Sequence, residues 1–306
     1  MRIKALLASV GCAGLALVQG GCGVTLLSLQ EEVALGSEAA PQLTQEYGGA
    51  LTQGGLHNSL DRVGRSMTDT LEPDFRDMPW EFTLLNSPVI NAFALPGGKV
   101  FVSRALIERM TNEAQLAGVV GHEIGHVTAR HGNQKISASI IAQGVVIGAA
   151  AAASGSDSEL IQAGVPLLVS STSGVFMLKY GRGQELESDR LGIEYMTRVG
   201  YNPIGMRQVM DILAEASAGN EAPEFFSTHP HPESRIAQID GLLEGEYAHT
   251  QFNTEYGVFE PRFESDFTRP LAAIPQPQAM RLNLLVPETW CATCADMGEV
   301  AVKAKK

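Results

Sequence analysis

The segment Leu116-Ala117-Gly118-Val119-Val120-Gly121-His122-Glu123-Ile124-Gly125-His126-Val127 constrains this chain more than any other. On an α-helix, positions i and i+4 share a face, so His122 and His126 can reach one ion. Glu123 is turned by about 100° from His122, near enough to touch water at that ion without ligating it. Leu116, Val120, Ile124 and Val127 fall within an arc of about 80°, an apolar stripe for a core. Gly118, Gly121 and Gly125 share a third arc. A glycine costs about 1 kcal/mol relative to Ala inside a helix. Three on one arc make sense where another backbone packs closely. Asn112 with Gln115 resembles a capping box, and Gly132 suits the C-terminal stop. A solvated helix that merely carries two histidines would need neither the cap nor the stripe.

A zinc site of this kind needs a third ligand. His131 is one residue short of the HExxHxxGxxH spacing, where Gly132 stands. It reads as a packing histidine or one that supports a ligand from behind. The other candidate lies in Tyr180-Gly181-Arg182-Gly183-Gln184-Glu185-Leu186-Glu187-Ser188-Asp189. Glu185 and Asp189 are i and i+4, so Glu185 can ligate while Asp189 accepts the second N–H of a histidine ring. Glu187 points elsewhere and reads as solvated. The alternative is that all three acids form a surface helix face.

Around these segments the chain reads as mainly helical with a few strands. Residues 24–60 look like an N-terminal helical arm, and a helical pattern continues over 61–80 to Pro79-Trp80. Glu81–Leu85 and Val100–Ser103 are strand candidates. Apolar residues flanking Pro96-Gly97-Gly98 predict a hairpin over 91–102. Residues 136–153 are almost wholly apolar, but Ser137, Ser139, Gln143 and two glycines favour a buried or lid helix over a membrane span. A Gly/Ser break at 154–158 precedes another helical pattern from Glu159. Helices are expected over 183–199 and 204–217, and an irregular, proline-rich tail from 246 to 306. The organisation expected is a signal over 1–21, an arm over 22–60, a catalytic domain over 61–245, and that tail. No helical-array repeat is visible.

The N-terminus reads as an export signal. Arg2 and Lys4 precede an apolar run from Ala5 to Val18, followed by Gln19-Gly20-Gly21-Cys22. Small residues before a cysteine resemble a bacterial lipoprotein cleavage box, although Gln19 stands where an aliphatic residue is usual. Lipidation at Cys22 is expected; the alternative is an ordinary secretory signal with Cys22 incidental. Cleavage before Cys22 would leave 20 basic against 34 acidic residues, taking the net charge from −12 to −14. Such an acidic chain disfavours nucleic acid as a partner. Cys291 and Cys294 suggest a local disulfide in an oxidising compartment, which with Trp290 would pin the tail.

Taken together, the chain resembles the HtpX and CAAX-prenyl-endopeptidase type of zinc metallopeptidases, a gluzincin group. The resemblance rests on Asn91-Ala92-Phe93-Ala94-Leu95-Pro96-Gly97-Gly98, His122 to His126, Glu185 with Asp189, and Thr228-His229-Pro230 with Arg235-Ile236. These span about half the chain. The likeness is strongest to periplasmic lipoprotein members linked to outer-membrane quality control. It implies an α+β, mainly helical zincin-type domain with a small sheet bearing an edge strand. It implies one Zn2+ per chain on His122, His126 and Glu185, with Glu123 as base. It implies that His229 faces the metal, either steadying the oxyanion or filling the open position. His231 is expected to be exposed. Arg235 either stabilises the oxyanion or pairs with an acid such as Asp189. Glu187-Ser188-Asp189 stands where Glu-Ala-Asp is common, and Gly181-Arg182-Gly183 also departs from the commoner Ser-Arg.

The function expected is endopeptidase action on unfolded or misassembled envelope proteins at the periplasmic face of the outer membrane, anchored through Cys22. A soluble periplasmic location is the alternative. Asn91, Ala92, Phe93 and Ala94 would hold substrate extended by main-chain hydrogen bonds, which suits unfolded clients. A holdase or assembly factor with an occluded zinc site is the competing expectation.

Overall fold

A computed structural model describes residues 23–154, 179–218 and 223–277, without the side chains of 143–154. The signal with Cys12 and Cys22, the helical pattern from Glu159, and Trp290, Cys291 and Cys294 lie outside the described residues. The fold is mainly helical around a three-stranded sheet. Strands β1 (Glu81–Leu85), β2 (Ala92–Leu95) and β3 (Lys99–Ser103) lie in the order β1-β3-β2. β2 and β3 form the expected hairpin, with Ala92 opposite Val102 and Leu95 opposite Lys99. β1 runs parallel to β3, pairing Glu81 with Lys99 and Leu85 with Ser103. β2 is therefore an edge strand. The hairpin turn needs glycine because Gly97 and Gly98 both have φ near +80°, at 79° and 84°. A Cβ on Gly97 would also stand 2.4 Å from the Val33 Cα.

β2 and β3 are buried along their whole length because both sheet faces are covered. Side chains alternate between two cores. Phe93, Leu95, Phe101 and Leu85 join Ala39 and Leu43 of helix α1 (Leu29–Glu46) and Tyr47, which caps it. Ala92, Ala94, Val100 and Val102 face the larger core, with Leu60, Val63 and Met67 of helix α2 (Leu56–Thr68). The N-terminal arm is thus packed on the sheet, and its chain continues into it through the Leu51 N–H to Leu84 carbonyl bond.

Helix α3 (Glu113–Thr128) runs through the centre, its residues buried from Glu113 to Val127. Asn112 caps it by accepting the Gln115 N–H at 3.0 Å, while the Gln115 amide oxygen reaches the N–H of Thr111 rather than that of Asn112. Gly132 is not its stop. The chain turns at Arg130, which adopts φ 56°, and α4 (His131–Ser154) starts directly after it. α4 begins before the apolar segment 136–153, of which the side chains of 136–142 are described. His131, Asn133 and Ser137 are its buried residues and Ile141 is exposed. No helix among the described residues is long and apolar enough to cross a membrane.

Helices α5 (Arg182–Arg198) and α6 (Ile204–Ala218) pack on α3, and α7 (Pro232–Glu244) packs on both of them. The glycine arc of α3 is where α5 and α6 approach. Cβ atoms on Gly121 and Gly125 would stand 3.0 Å from the Gly192 carbonyl and 2.9 Å from that of Ser188, both on α5. One on Gly118 would stand 2.9 Å from the Met206 Cα of α6.

The segment after 245, expected to be irregular, instead carries helical turns over 260–272. Its Phe263, Phe267 and Leu271 enter the main core. Pro261 and Pro270 sit in the first turns of these helices, where proline is tolerated, so they do not break them. Two buried charges fasten this segment. Arg104 donates to the carbonyls of Leu271, Ile274 and Pro275. Glu113 accepts from Arg262, Arg62 and the Tyr201 hydroxyl.

Candidate metal centre

α3 presents His122, Glu123 and His126; α5 presents Glu185 and Asp189. The single helical turn Phe225–Thr228 leads into His229, and α7 presents Arg235. One ligand atom from each of His122, His126, Glu185 and His229 lies within 4.8 Å of every other, and all four residues are buried. The Nε2 atoms of His122 and His126 are 3.0 Å apart. His126 Nε2 is 3.4 Å from Glu185 Oε1, and His122 Nε2 is 3.5 Å from Glu185 Oε2. Tetrahedral zinc with ligands at about 2.0–2.1 Å would separate its donors by roughly 3.4 Å. Glu185 Oε2 makes no hydrogen bond and is flanked, outside the donor set, by the Arg235 Nη1 charge 3.0 Å away. Buried lone pairs converging on one point without donors between them suit a cation, and two imidazoles with a carboxylate suit zinc.

The hydrogen bonds behind the ligands fix which nitrogens face inward. His122 donates its Nδ1–H to Asp189 Oδ1 at 2.8 Å, leaving Nε2 as the acceptor at the centre. Arg235 holds Asp189 from the other side through Nε and Nη2, each at 2.7 Å. Its Nη1 is 3.0 Å from Glu185 Oε2. Of the two readings of Arg235, the geometry supplies the pairing with Asp189. Burial works against the Asp189 carboxylate, but Arg235 and His122 together outweigh it and hold the acid below its ordinary value.

A second line runs behind His126. Its Nδ1 is 2.9 Å from His131 Nδ1, whose Nε2 is 3.2 Å from Glu187 Oε2. With His126 Nε2 facing the centre, the protons order as His126 Nδ1–H to His131 and His131 Nε2–H to Glu187. His131 thus stands behind a candidate ligand, as one reading of the sequence had it. Glu187 is exposed, as expected of a solvated acid, and its Oε2 also ends this line. Burial pushes the His126 imidazole well below its ordinary value, so it stays neutral, as a ligand must.

Glu123 is fully buried, and neither carboxylate oxygen has a hydrogen-bond partner. Burial pushes its carboxyl up. His229 stands between it and the ligand set. Its Nδ1 is 3.2 Å from His122 Nε2 and 3.1 Å from Glu185 Oε1, while its Nε2 is 3.6 Å from Glu123 Oε1. His231 is exposed, at the left-handed entry to α7.

Two aromatic rings line the centre that sequence reasoning did not single out. Tyr180 stacks on His126 with ring centroids 3.8 Å apart, and Phe225 stacks on His229 at 4.3 Å. Lys135 places its ammonium 3.1 Å from the Tyr180 ring centre, and burial lowers its pKa to about 7. Each ring lies within a few residues of a motif, but helical periodicity cannot reveal a stack.

The edge strand lies beside this centre. Asn91 donates to Glu224, which also accepts from the Tyr47 hydroxyl, and the Phe225 N–H bonds to the Ile90 carbonyl. Ala92 and Ala94 face the α3 side and Phe93 faces α1. The outer edge of β2 has no strand partner among the described residues.

Residues 56–243 match Peptidase family M48. The chain is 38% identical over 167 residues to the beta-barrel assembly-enhancing protease of Escherichia coli K12, covering 52% of this chain and 33% of that protein. It is 33% identical over 225 residues to the protein of the same name from Yersinia pestis, covering 69% and 43%. It is 30% identical over 226 residues to the mitochondrial metalloendopeptidase OMA1 of Schizosaccharomyces pombe, covering 71% and 62%. The chain therefore spans from a third to three fifths of the length of these relatives. The matched region contains the whole ligand cluster from His122 to His229, and the chain belongs to peptidase family M48.

Proposed function

We propose that this protein is a zinc-dependent endopeptidase that cleaves unfolded or misassembled proteins of the cell envelope. The observation that carries the reading is Glu123, buried with two unpaired carboxylate oxygens beside the convergent donors of His122, His126 and Glu185. Those three donors would hold one Zn2+. Bound there, the ion supplies Lewis-acid activation of water and of a scissile carbonyl. Glu123 accepts the proton of the attacking water and delivers it to the leaving amine nitrogen. Asp189 and Arg235 keep the His122 ring oriented, and His131 with Glu187 does the same for His126. Asn91 to Ala94 present the edge that holds an extended substrate by its backbone, so unfolded segments fit and folded globules do not. The envelope setting draws on the expected export signal, lipidation at Cys22, and relatives named for beta-barrel assembly. On this reading the protein works at the periplasmic face of the outer membrane.

The second reading is a holdase or assembly factor with an occluded site. His229 favours it, since its Nδ1 supplies a fourth donor within 3.2 Å of His122 Nε2. Cleavage of an unfolded protein by the purified wild type decides between the two, with a chelator control and Glu123→Gln alongside. Activity lost in both controls supports the endopeptidase. Silence from a preparation holding one zinc per chain, with client binding retained by Glu123→Gln, supports the holdase.

A further inference from the structure

The start of the described chain is clamped along α4 by buried polar groups. The Leu26 N–H donates to Ser137 Oγ at 2.8 Å, and the Leu27 N–H to Asn133 Oδ1 at 3.3 Å. Asn133 and Arg130 both donate to the Leu27 carbonyl and to Glu32. Asn133, Ser137 and Glu32 are all buried. Gly23 packs so closely on the Gln134 side chain that a Cβ there would stand 2.3 Å from its Cδ. Gln134 in turn accepts from Gln184, the neighbour of Glu185.

One face of α4 carries Asn133, Ser137 and Ile141 at four-residue spacing; the first two are buried and polar, and Ile141 beyond them is exposed. Val24 and Leu26, two residues apart beside the clamp, are 53% and 51% exposed. Ile141, 40% exposed, lies one turn beyond Ser137, which holds the Leu26 N–H. Among the described residues only four large hydrophobics are exposed, and these are three of them; the fourth is Phe252. Such clustering beside a buried polar network marks a contact face.

We infer that Val24, Leu26 and Ile141 form a face that seats on a lipid bilayer and holds the candidate metal centre at the membrane surface. The inference rests on the lipid anchor proposed for Cys22. That anchor is one peptide from Gly23, whose Cα can be no more than about 3.8 Å away. No flexible spacer separates the acyl chains from the clamped segment, so this face lies at the headgroups once the anchor inserts. The same path, Gly23 to Gln134 to Gln184, ends next to Glu185. Substrate would then be met at the membrane surface rather than at the end of a long tether.

The test attaches the chain whether or not the cell lipidates it. A chain starting at Cys22, with Cys291→Ser and Cys294→Ser, is coupled through the Cys22 thiol to maleimide-phosphatidylethanolamine. The vesicles are of phosphatidylethanolamine and phosphatidylglycerol, with or without brominated acyl chains. Tryptophan emission is compared for Leu26→Trp and Phe252→Trp against the parent. Bromine should lower the added emission at least twofold at position 26 and leave it unchanged at 252. Equal quenching at both positions, or none at 26, overturns the docking face. So does a chain that sediments as a dimer dissociated by Ile141→Ser, which assigns the face to a second copy. Emission of Leu26→Trp already blue-shifted without vesicles assigns the cover to the chain's own residues and also overturns it. The mass of the native N-terminus tests the anchor separately: an unmodified Cys22 removes the anchor reading, while the quenching result still stands or falls alone.

Discussion

His122, His126 and Glu185 sit on two helices in backbone contact, whereas His229 sits on a single turn of helix. Along the first seam, Gly121 meets Gly192 and Gly125 meets Ser188 with no side chain between them. Each of the two histidines has its own line of support, one to Asp189 and Arg235, the other to His131 and Glu187. The His229 turn is held by fewer and longer-range groups: Tyr180 N–H to the Thr228 carbonyl, Phe225 N–H to Ile90, and Glu224 to Tyr47 and Asn91. Three donors are thus carried by two helices in backbone contact, and the fourth by a short turn that packs on them from outside the seam.

The largest effect on the rigid side is expected at its root. Glu113 starts α3 and is fully buried, with Arg62, Arg262 and Tyr201 around it. Burial opposes its ionisation, but the arginine and phenol hydrogen bonds outweigh that and hold its pKa below the ordinary value. A carboxylate with a depressed folded pKa contributes stability above its unfolded pKa, about 4.3, and loses it as pH falls through the folded value. Glu113→Gln should cost about 3 kcal/mol at neutral pH, at the low end for a broken buried pair because both arginines are partly exposed. Its stability should also change less than the wild type's between neutral pH and acid. Denaturant melts at both ends of that range check this; an unchanged acid slope would mean that other carboxylates set it.

The seam comes next. A Cβ on Gly192 would stand 2.7 Å from the His122 backbone nitrogen and 2.8 Å from the Gly121 carbonyl carbon, so backbone must move. Overpacking of this kind costs about 1–3 kcal/mol, less the ~1 kcal/mol that Ala gains over Gly in a helix. Gly192→Ala should lower Tm by a few degrees and weaken zinc binding at the same time, since it separates the helices that carry His122 and Glu185. A Tm loss with unaltered zinc affinity would show that the seam supports the fold without setting the site.

Asp189→Asn probes the support line alone. The amide oxygen can still accept from His122, but the charge facing Arg235 is gone. Loss of such support weakens metal affinity by about 10- to 100-fold, and the retained acceptor points to the lower end. Competition with a chromophoric chelator measures it. An affinity equal to wild type would mean that helix packing alone orients the ring.

What could be read from the sequence follows the same division. His122, Glu123, His126, Glu185 and Asp189 were legible because helical periodicity is local, and the glycine arc announced a close backbone neighbour. The line from His126 through His131 to Glu187 was only half legible. It depends on Arg130 taking a left-handed turn that brings His131 behind His126, and no residue there advertises that conformation. Placing the helix stop at Gly132 missed it for the same reason. The packing of Phe263, Phe267 and Leu271 was invisible because three short helical turns have too little periodicity to register. For Arg235 the choice between an oxyanion role and pairing with Asp189 stayed open, since Asp189 and Arg235 come from different helices and meet only through the fold.

The smallest expected effect on metal affinity, and the sharpest test of the comparison, is at His229. Its Nδ1 faces both His122 and Glu185, and Phe225 stacks on its ring, so the turn holds it in the donor set. If the three helix-borne donors are self-sufficient, His229→Ala should cost less than about tenfold in zinc affinity, whereas His126→Ala should abolish tight binding because it leaves too few protein donors for a catalytic site. Cleavage then reports what the turn does. A turn that closes the site lowers the competent fraction, and removing its histidine raises the rate by the inverse of that fraction. A rate that rises in His229→Ala, with zinc retained, makes the turn a gate. A rate that falls instead, with zinc equally retained, assigns His229 to the developing oxyanion, and the contrast between the seam and the turn becomes one between two parts of the same catalytic apparatus.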